Sequence, residues 1–237
     1  MSPSAPSARR RVIDLTQPLG PATVMWPGSS PPSFRTVDDY GDAGCFSRVV
    51  SLHEHTGTHL DAPAHFVEGA ETVDQISAER LVCPVSVIDI AAQAALDSDY
   101  ALSVADIERS EALHGELPHV SVVVVHSGWA KRRTDARAYL GNDGSGRLSF
   151  PGISHEAALW LVRHRQVAGL GIDTPGIDPG RDTDFTVHRH STLPNGVWQL
   201  EGLINLDQLP ARGATIFVGV LPFVGGSGAP ARVIAIV

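Results

Sequence analysis

The run His53-Glu54-His55-Thr56-Gly57-Thr58-His59-Leu60-Asp61-Ala62-Pro63-Ala64-His65-Phe66 sets the reading of the whole chain. Four of the eleven histidines fall here within thirteen positions, with a carboxylate between them. Thr56-Gly57-Thr58 is poor helix material, so His55 and His59 are predicted to meet through a tight turn at Gly57 instead of along a helix face. His59 and Asp61, two apart on an extended segment, point to the same side, and Pro63 holds Ala62 extended. Two imidazoles and a carboxylate therefore converge, a donor set suited to Zn²⁺, Mn²⁺ or Fe²⁺ and unsuited to Ca²⁺ or Mg²⁺. His53 is one position off the pattern and reads as strand or surface.

Two known arrangements bound this reading. A zincin needs H-E-x-x-H, but His55 is followed by Thr56, and Gly57 stands where His53-Glu54 would need its second histidine. The two-His-one-carboxylate triad of non-haem iron oxygenases could be written as His59-x-Asp61 plus a distant histidine. That rival has no use for His55, and no arginine between Arg189 and Arg212 stands ready to grip a cosubstrate carboxylate. A non-catalytic module stabilised by its ion is the other alternative.

Outward from this run, the alternation at 45–52 predicts a strand leading straight into the histidines and delivering the ligands. Strands are also predicted at 12–15, 81–90, 120–126, 167–172, 215–221 and 232–237, and helices at 103–114 and 154–165, each opened by a capping serine. The Pro/Gly-punctuated segment at 17–29 reads as a long ordered loop, whose Trp26 either borders the site or caps the core. The charged, Gly-rich 131–149 reads as surface without chemistry, and 225–228 as a flexible connection. The architecture expected is α/β, a single mixed domain with a β-rich core over residues 12–237, preceded by a disordered tail at 1–11.

With 237 residues, 43% hydrophobic and 19% charged, the chain can bury one sizeable core. The net charge of −8, with acids and bases interleaved, argues against nucleic acid or an anionic membrane as partner. No apolar run approaches the ~20 residues of a membrane span, and the start lacks a signal-peptide apolar region, so a cytoplasmic location is expected. Cys45 and Cys83 lack metal-site or disulfide spacing and read as two buried free thiols.

The stretch from His55 to Phe66 resembles the signature of the cyclase-like metal-dependent hydrolases, a family that includes bacterial kynurenine formamidase and isatin hydrolase. Asp14-Leu15-Thr16-Gln17-Pro18, Trp26-Pro27-Gly28, His126-Ser127-Gly128-Trp129, Gly171-Ile172-Asp173-Thr174 and Glu201-Gly202-Leu203-Ile204-Asn205-Leu206 extend the resemblance over nearly the whole chain. It implies a swivelling β/β/α domain in dimers or tetramers, and one or two divalent ions, Zn or Mn. The implied ligands are His55, His59 and Asp61, with Asp61 able to bridge two ions, and His65 is the implied catalytic histidine. A distal histidine and Glu201 complete the implied set. His188 lies thirteen positions before Glu201 and His190 eleven, neither being the family's usual spacing; His188 is preferred for its lead-in, Phe185-Thr186-Val187, with His190 as fallback.

The expected chemistry is metal-assisted hydrolysis of a small cyclic or aromatic amide. His65, able to gain or lose a proton near neutral pH, would shuttle the water's proton to the leaving nitrogen. Trp26, Phe46, Phe66 and Trp129 are the candidate walls for a planar substrate. A ring-closing role is suggested by the family's name alone.

Overall fold

In the computed structural model, which describes residues 10–142 and 144–237, the apolar runs assemble mainly into one sheet. In chain order the strands are β1 (Val12–Asp14), β2 (Ser33–Asp38), β3 (Ser47–Ser51), β4 (His59–Asp61), β5 (Val82–Asp89), β6 (Ala101–Leu102), β7 (Val122–His126), β8 (Gly152–Ile153), β9 (Gly169–Ile172), β10 (Trp198–Glu201), β11 (Ala214–Val220) and β12 (Gly228–Ile236). The helices are α1 (Ala91–Leu96), α2 (Val104–His114), α3 (Ala136–Leu140) and α4 (His155–Arg165). The main sheet runs β1-β12-β11-β5-β7-β9-β10-β4, and β4 also pairs with β12. That pairing closes seven strands into a barrel, with β1 appended to β12. Strands β5, β7, β9 and β10 are mutually parallel; the closing strands are antiparallel.

The period of two along each strand sorts side chains between the two faces. On β7, Val122 and Val124 join the barrel interior with Leu60, Leu200, Ile216 and Val233, whereas Val123 and Val125 face α2 and α4 with Ile107, Ala157 and Leu161. Burial on both faces explains the uninterrupted valine run, since a parallel strand covered on both sides carries no alternation. Helix α2 starts as its sequence predicts: Ser103 Oγ accepts from Asp106 N–H, and Asp106 accepts from Ser103 in return.

Several expectations need correction. The strand at 45–52 is realised as β3, but β3 pairs only with β2 in a separate two-stranded hairpin, and its residues are mostly exposed. Its alternation reports no buried face, and it ends before the donors: His55 lies in the loop at 52–58, and His59 and Asp61 lie on β4. The expected tail at 1–11 lies outside the described residues for its first nine positions, yet Arg11 extends the ladder, exchanging both backbone hydrogen bonds with Val237. Cys83 is buried, whereas Cys45 is exposed. Among the described residues no helix is long and apolar enough to cross a membrane.

Candidate metal centre and active-site cavity

The site lies on the seam where β4 closes the barrel. Antiparallel register sets Glu201 opposite His59, Leu200 opposite Leu60 and Gln199 opposite Asp61. With Leu60 and Leu200 turned into the core, His59, Asp61 and Glu201 share the other face. His55 arrives from the preceding turn, where Gly57 adopts φ +66°. A side chain at Gly57 would also collide with Leu19, 2.2 Å from its Cβ position. Pro63 opens a short 3₁₀ turn carrying His65.

His188 reaches the same point from a π-helical turn at His188–Thr192 and is buried, whereas His190 on that turn is exposed. The structure thus brings His188 to the cluster and leaves His190 outside. The donor atoms fall into two groups that share Asp61: His55, His59 and Asp61, and Asp61, His188 and Glu201. His55 Nδ1 lies 2.5 Å and His59 Nε2 3.2 Å from Asp61 Oδ1. His188 Nε2 lies 3.3 Å from both Asp61 Oδ2 and Glu201 Oε1.

Each histidine is aimed by its other ring nitrogen. His59 Nδ1–H donates to the Gly57 carbonyl at 3.0 Å. His188 Nδ1–H donates to Asp178, which also accepts from the Val187 N–H at 2.5 Å. His55 Nε2–H donates to Ser227 Oγ at 3.0 Å, whose hydroxyl donates to Glu54 at 2.7 Å. Fixing one nitrogen so that the other presents its lone pair to a common point is how ligating histidines are held. The residues therefore fit one or two divalent ions sharing Asp61, with nitrogen and oxygen donors only. A two-His-one-carboxylate triad describes only part of this five-residue set.

The charges agree with that fit. Burial would lower the pKa of His59, but the Asp61 and Glu201 carboxylates outweigh it and raise it to about 9. His188 is likewise depressed by burial and driven well above its usual value by Asp178, Asp61 and Glu201. Burial would raise Asp61, yet His55 and His59 hold it well below the usual carboxylate value. The carboxylates thus attract positive charge to a buried point. His65 behaves oppositely: burial, together with the His55, His188 and His59 charges, lowers it to about 4 against the pull of Asp61. Its ring stacks on His55 with centroids 3.9 Å apart, and neither ring nitrogen hydrogen-bonds to a described residue.

Beside the cluster opens a cavity of about 240 Å³, walled by Trp26, Phe66, Phe185 and Tyr139. Trp26 stands edge-on to Phe150 and 5.8 Å from Phe185, which lies 5.7 Å from Phe66. Two expected walls are not walls. Phe46 is half exposed on the hairpin, stacked on Tyr40, and Trp129 is packed behind Tyr139, its Nε1–H donating to the Tyr139 carbonyl at 2.7 Å. The 131–149 segment, expected to lack chemistry, supplies Tyr139 and Leu140 to the cavity through α3. Ser227, in the expected flexible connection, holds His55. His53 stands at the cavity's mouth. Asp178, Ser227 and Glu54 escape sequence reading because each acts through a neighbour, and Tyr139 because it lies in a short helix within a charged, Gly-rich segment; Asp178 sits in an ordinary Asp-Pro-Gly turn.

The family model described as "Putative cyclase" matches residues 13–179. The chain belongs to the cyclase family. It is 33% identical to an isatin hydrolase of Roseibium aggregatum, over 98% of this chain and 93% of that protein. It is 29% identical to a kynurenine formamidase of Salinibacter ruber, over 94% and 96% of the two chains. An isatin hydrolase structure bound to the product analogue thioisatinate superposes with TM-score 0.91 at 31% identity, covering 96% and 92%. Isatin hydrolase A of Ralstonia solanacearum gives 0.88 at 36%, with the same coverage. Together with the two ligand groups, these relationships make the chain a metal-dependent hydrolase of amide C–N bonds.

Proposed function

We propose that the chain opens the ring of a small aromatic lactam of the isatin kind, with formanilides of the N-formylkynurenine kind as the second substrate class. His55, His59, Asp61, His188 and Glu201 are the proposed ligands for Zn or Mn, and His65 the acid/base. The observation that carries the reading is the set of three histidines, each oriented by its second nitrogen, converging on Asp61 and Glu201 beside an unbonded, neutral imidazole. The walls supplied by Trp26, Phe66 and Phe185 favour a flat substrate, and the cavity lies below the ~300–1,000 Å³ usual for drug-sized ligands.

A bound divalent ion supplies Lewis acidity and a water ionisable near pH ~7. Burial keeps His65 neutral at that pH, so it can take a proton from water and return it to the nitrogen as the C–N bond breaks. The aromatic walls hold the ring flat against the ligand cluster and exclude bulk water. The products are a carboxylate and an amine, joined in one molecule when the substrate is a lactam. Metal analysis combined with turnover of isatin and N-formylkynurenine tests the reading. Wild-type activity abolished by chelator and restored by Zn or Mn is expected; activity untouched by chelation would sink it.

A homodimer or homotetramer remains the proposed assembly. The β2–β3 hairpin exposes Val37, Tyr40, Phe46, Val49 and Val50, an apolar surface that a second copy would cover. The two free thiols fit a reducing, cytoplasmic setting.

A further inference from the structure

Gln17 lines the cavity, and of its side-chain atoms only the amide nitrogen is hydrogen-bonded to a described residue. It is 8% exposed, and its backbone N–H donates to Thr58 Oγ1 at 3.0 Å. Its side-chain Nε2 donates to the Gly202 carbonyl at 3.3 Å. Because that carbonyl can only accept, the amide orientation follows: nitrogen faces Gly202 and Oε1 faces the other way. No described residue donates to Oε1.

The anchoring points lie next to the metal ligands. Thr58 precedes His59, and Gly202 follows Glu201. Both Gly57 and Gly202 take positive φ, +66° and +65°. Gly202 leaves room for this side chain, since a Cβ there would come within 2.7 Å of Gln17 Nε2. Gln17 is thus held at the cavity wall between the neighbours of His59 and Glu201. Of the other polar side chains around the cavity, Asp61, Asp178 and Glu201 are committed to histidines, Asp182 to the N–H groups of Asp184 and Thr186, and the Tyr139 hydroxyl towards the Asp173 carbonyl at 3.4 Å, while His65 is the proposed acid/base.

We infer that Gln17 is a specificity residue that reads the substrate's amide N–H. Its Oε1 accepts a hydrogen bond from the nitrogen while the carbonyl faces the ligand cluster. A neutral, fixed acceptor matches a neutral N–H, so the substrate class narrows to secondary amides. N-alkyl lactams and esters leave Oε1 unpaired and are disfavoured. This inference rests on the amide-hydrolase reading.

The test is kcat/KM for isatin and N-methylisatin with wild type and Gln17→Met. The variant keeps side-chain volume, and the Gly202 carbonyl retains the Thr58 hydroxyl at 2.6 Å, so no backbone group is orphaned. Any difference in intrinsic reactivity between the two substrates is common to both enzymes and cancels in the comparison. Wild type should prefer isatin, and the variant should lose roughly three- to tenfold on isatin with little change on N-methylisatin. The preference then shrinks by that factor. A preference within about twofold of wild type overturns the assignment, even where overall activity falls. If wild type turns over neither isatin nor N-formylkynurenine, the amide reading itself fails, an outcome distinct from an unchanged preference.

Discussion

His65 and Asp178 show how neighbours decide what a side chain does. His65 is half-buried against imidazoles that carry or attract positive charge, so its pKa falls to about 4 and it stays neutral at working pH. His65→Ala should retain metal and lower kcat by roughly 10²–10⁴-fold, the usual range for general acid/base catalysis; undiminished turnover of the accepted substrate removes it from the mechanism. Asp178 touches no substrate-facing atom of His188 but fixes the ring's tautomer by accepting from Nδ1–H. Asp178→Asn is expected to weaken metal affinity by about 10–100-fold, read by titration with Zn or Mn. Asp61→Ala should be more severe, since Asp61 belongs to both donor groups; full metal occupancy in that variant would remove it from the ligand set.

At the level of elements, strands and helices with a buried face were legible and segments held by single contacts were not. The valine run of β7 and the Ser103 cap of α2 declare themselves through periodicity and capping chemistry. The β3 strand misled because a projecting hairpin keeps its alternation without a core behind it. Tyr139 was hidden in a charged, Gly-rich segment, and only the short α3 turns it inwards. The half-site on β4 was readable because its donors lie within a few residues; Glu201 and His188 needed the barrel closure that no local pattern encodes. Helix α2 carries its own prediction. Asp106 accepts from Ser103 N–H at 2.8 Å, Ser103 Oγ–H at 2.7 Å and Tyr100 O–H at 2.9 Å, and pairs with Arg109. Burial would raise its pKa, but these donors hold it below the usual carboxylate value of 3.8. Its contribution is therefore present above that pH and lost as pH falls through the lower folded-state pKa. Asp106→Ala should cost about 1–2 kcal/mol in urea denaturation at pH 7, with the gap from wild type closing in strong acid; a gap unchanged down to pH ~2 would contradict this.

For the whole molecule, the metal centre and the closure of the barrel are one feature. β4 lies between β10 and β12, and the proposed ligands or their supports come from all three neighbourhoods: His59 and Asp61, Glu201, and Ser227 immediately before β12. An ion held there ties the seam together and stabilises the native state by mass action, about 2.7 kcal/mol at a hundredfold excess over Kd. In a chain of this size that raises Tm by roughly 5–10 °C. The increment should depend on pH, with a sign fixed by the histidines. In the metal-free protein His59 has its pKa raised to about 9 from 6.5. Its protonation therefore stabilises the fold fully below pH 6.5, and this support is lost as pH rises through about 9. His188, also raised, follows the same direction. Ligation requires both rings deprotonated, so protons and metal compete for the same lone pairs. The Tm difference between metal-loaded and chelator-treated protein should consequently widen from pH 6 to pH 9. Thermal melts at both pH values check it, and a difference that narrows or stays constant would show that the raised histidines are not the metal's ligands.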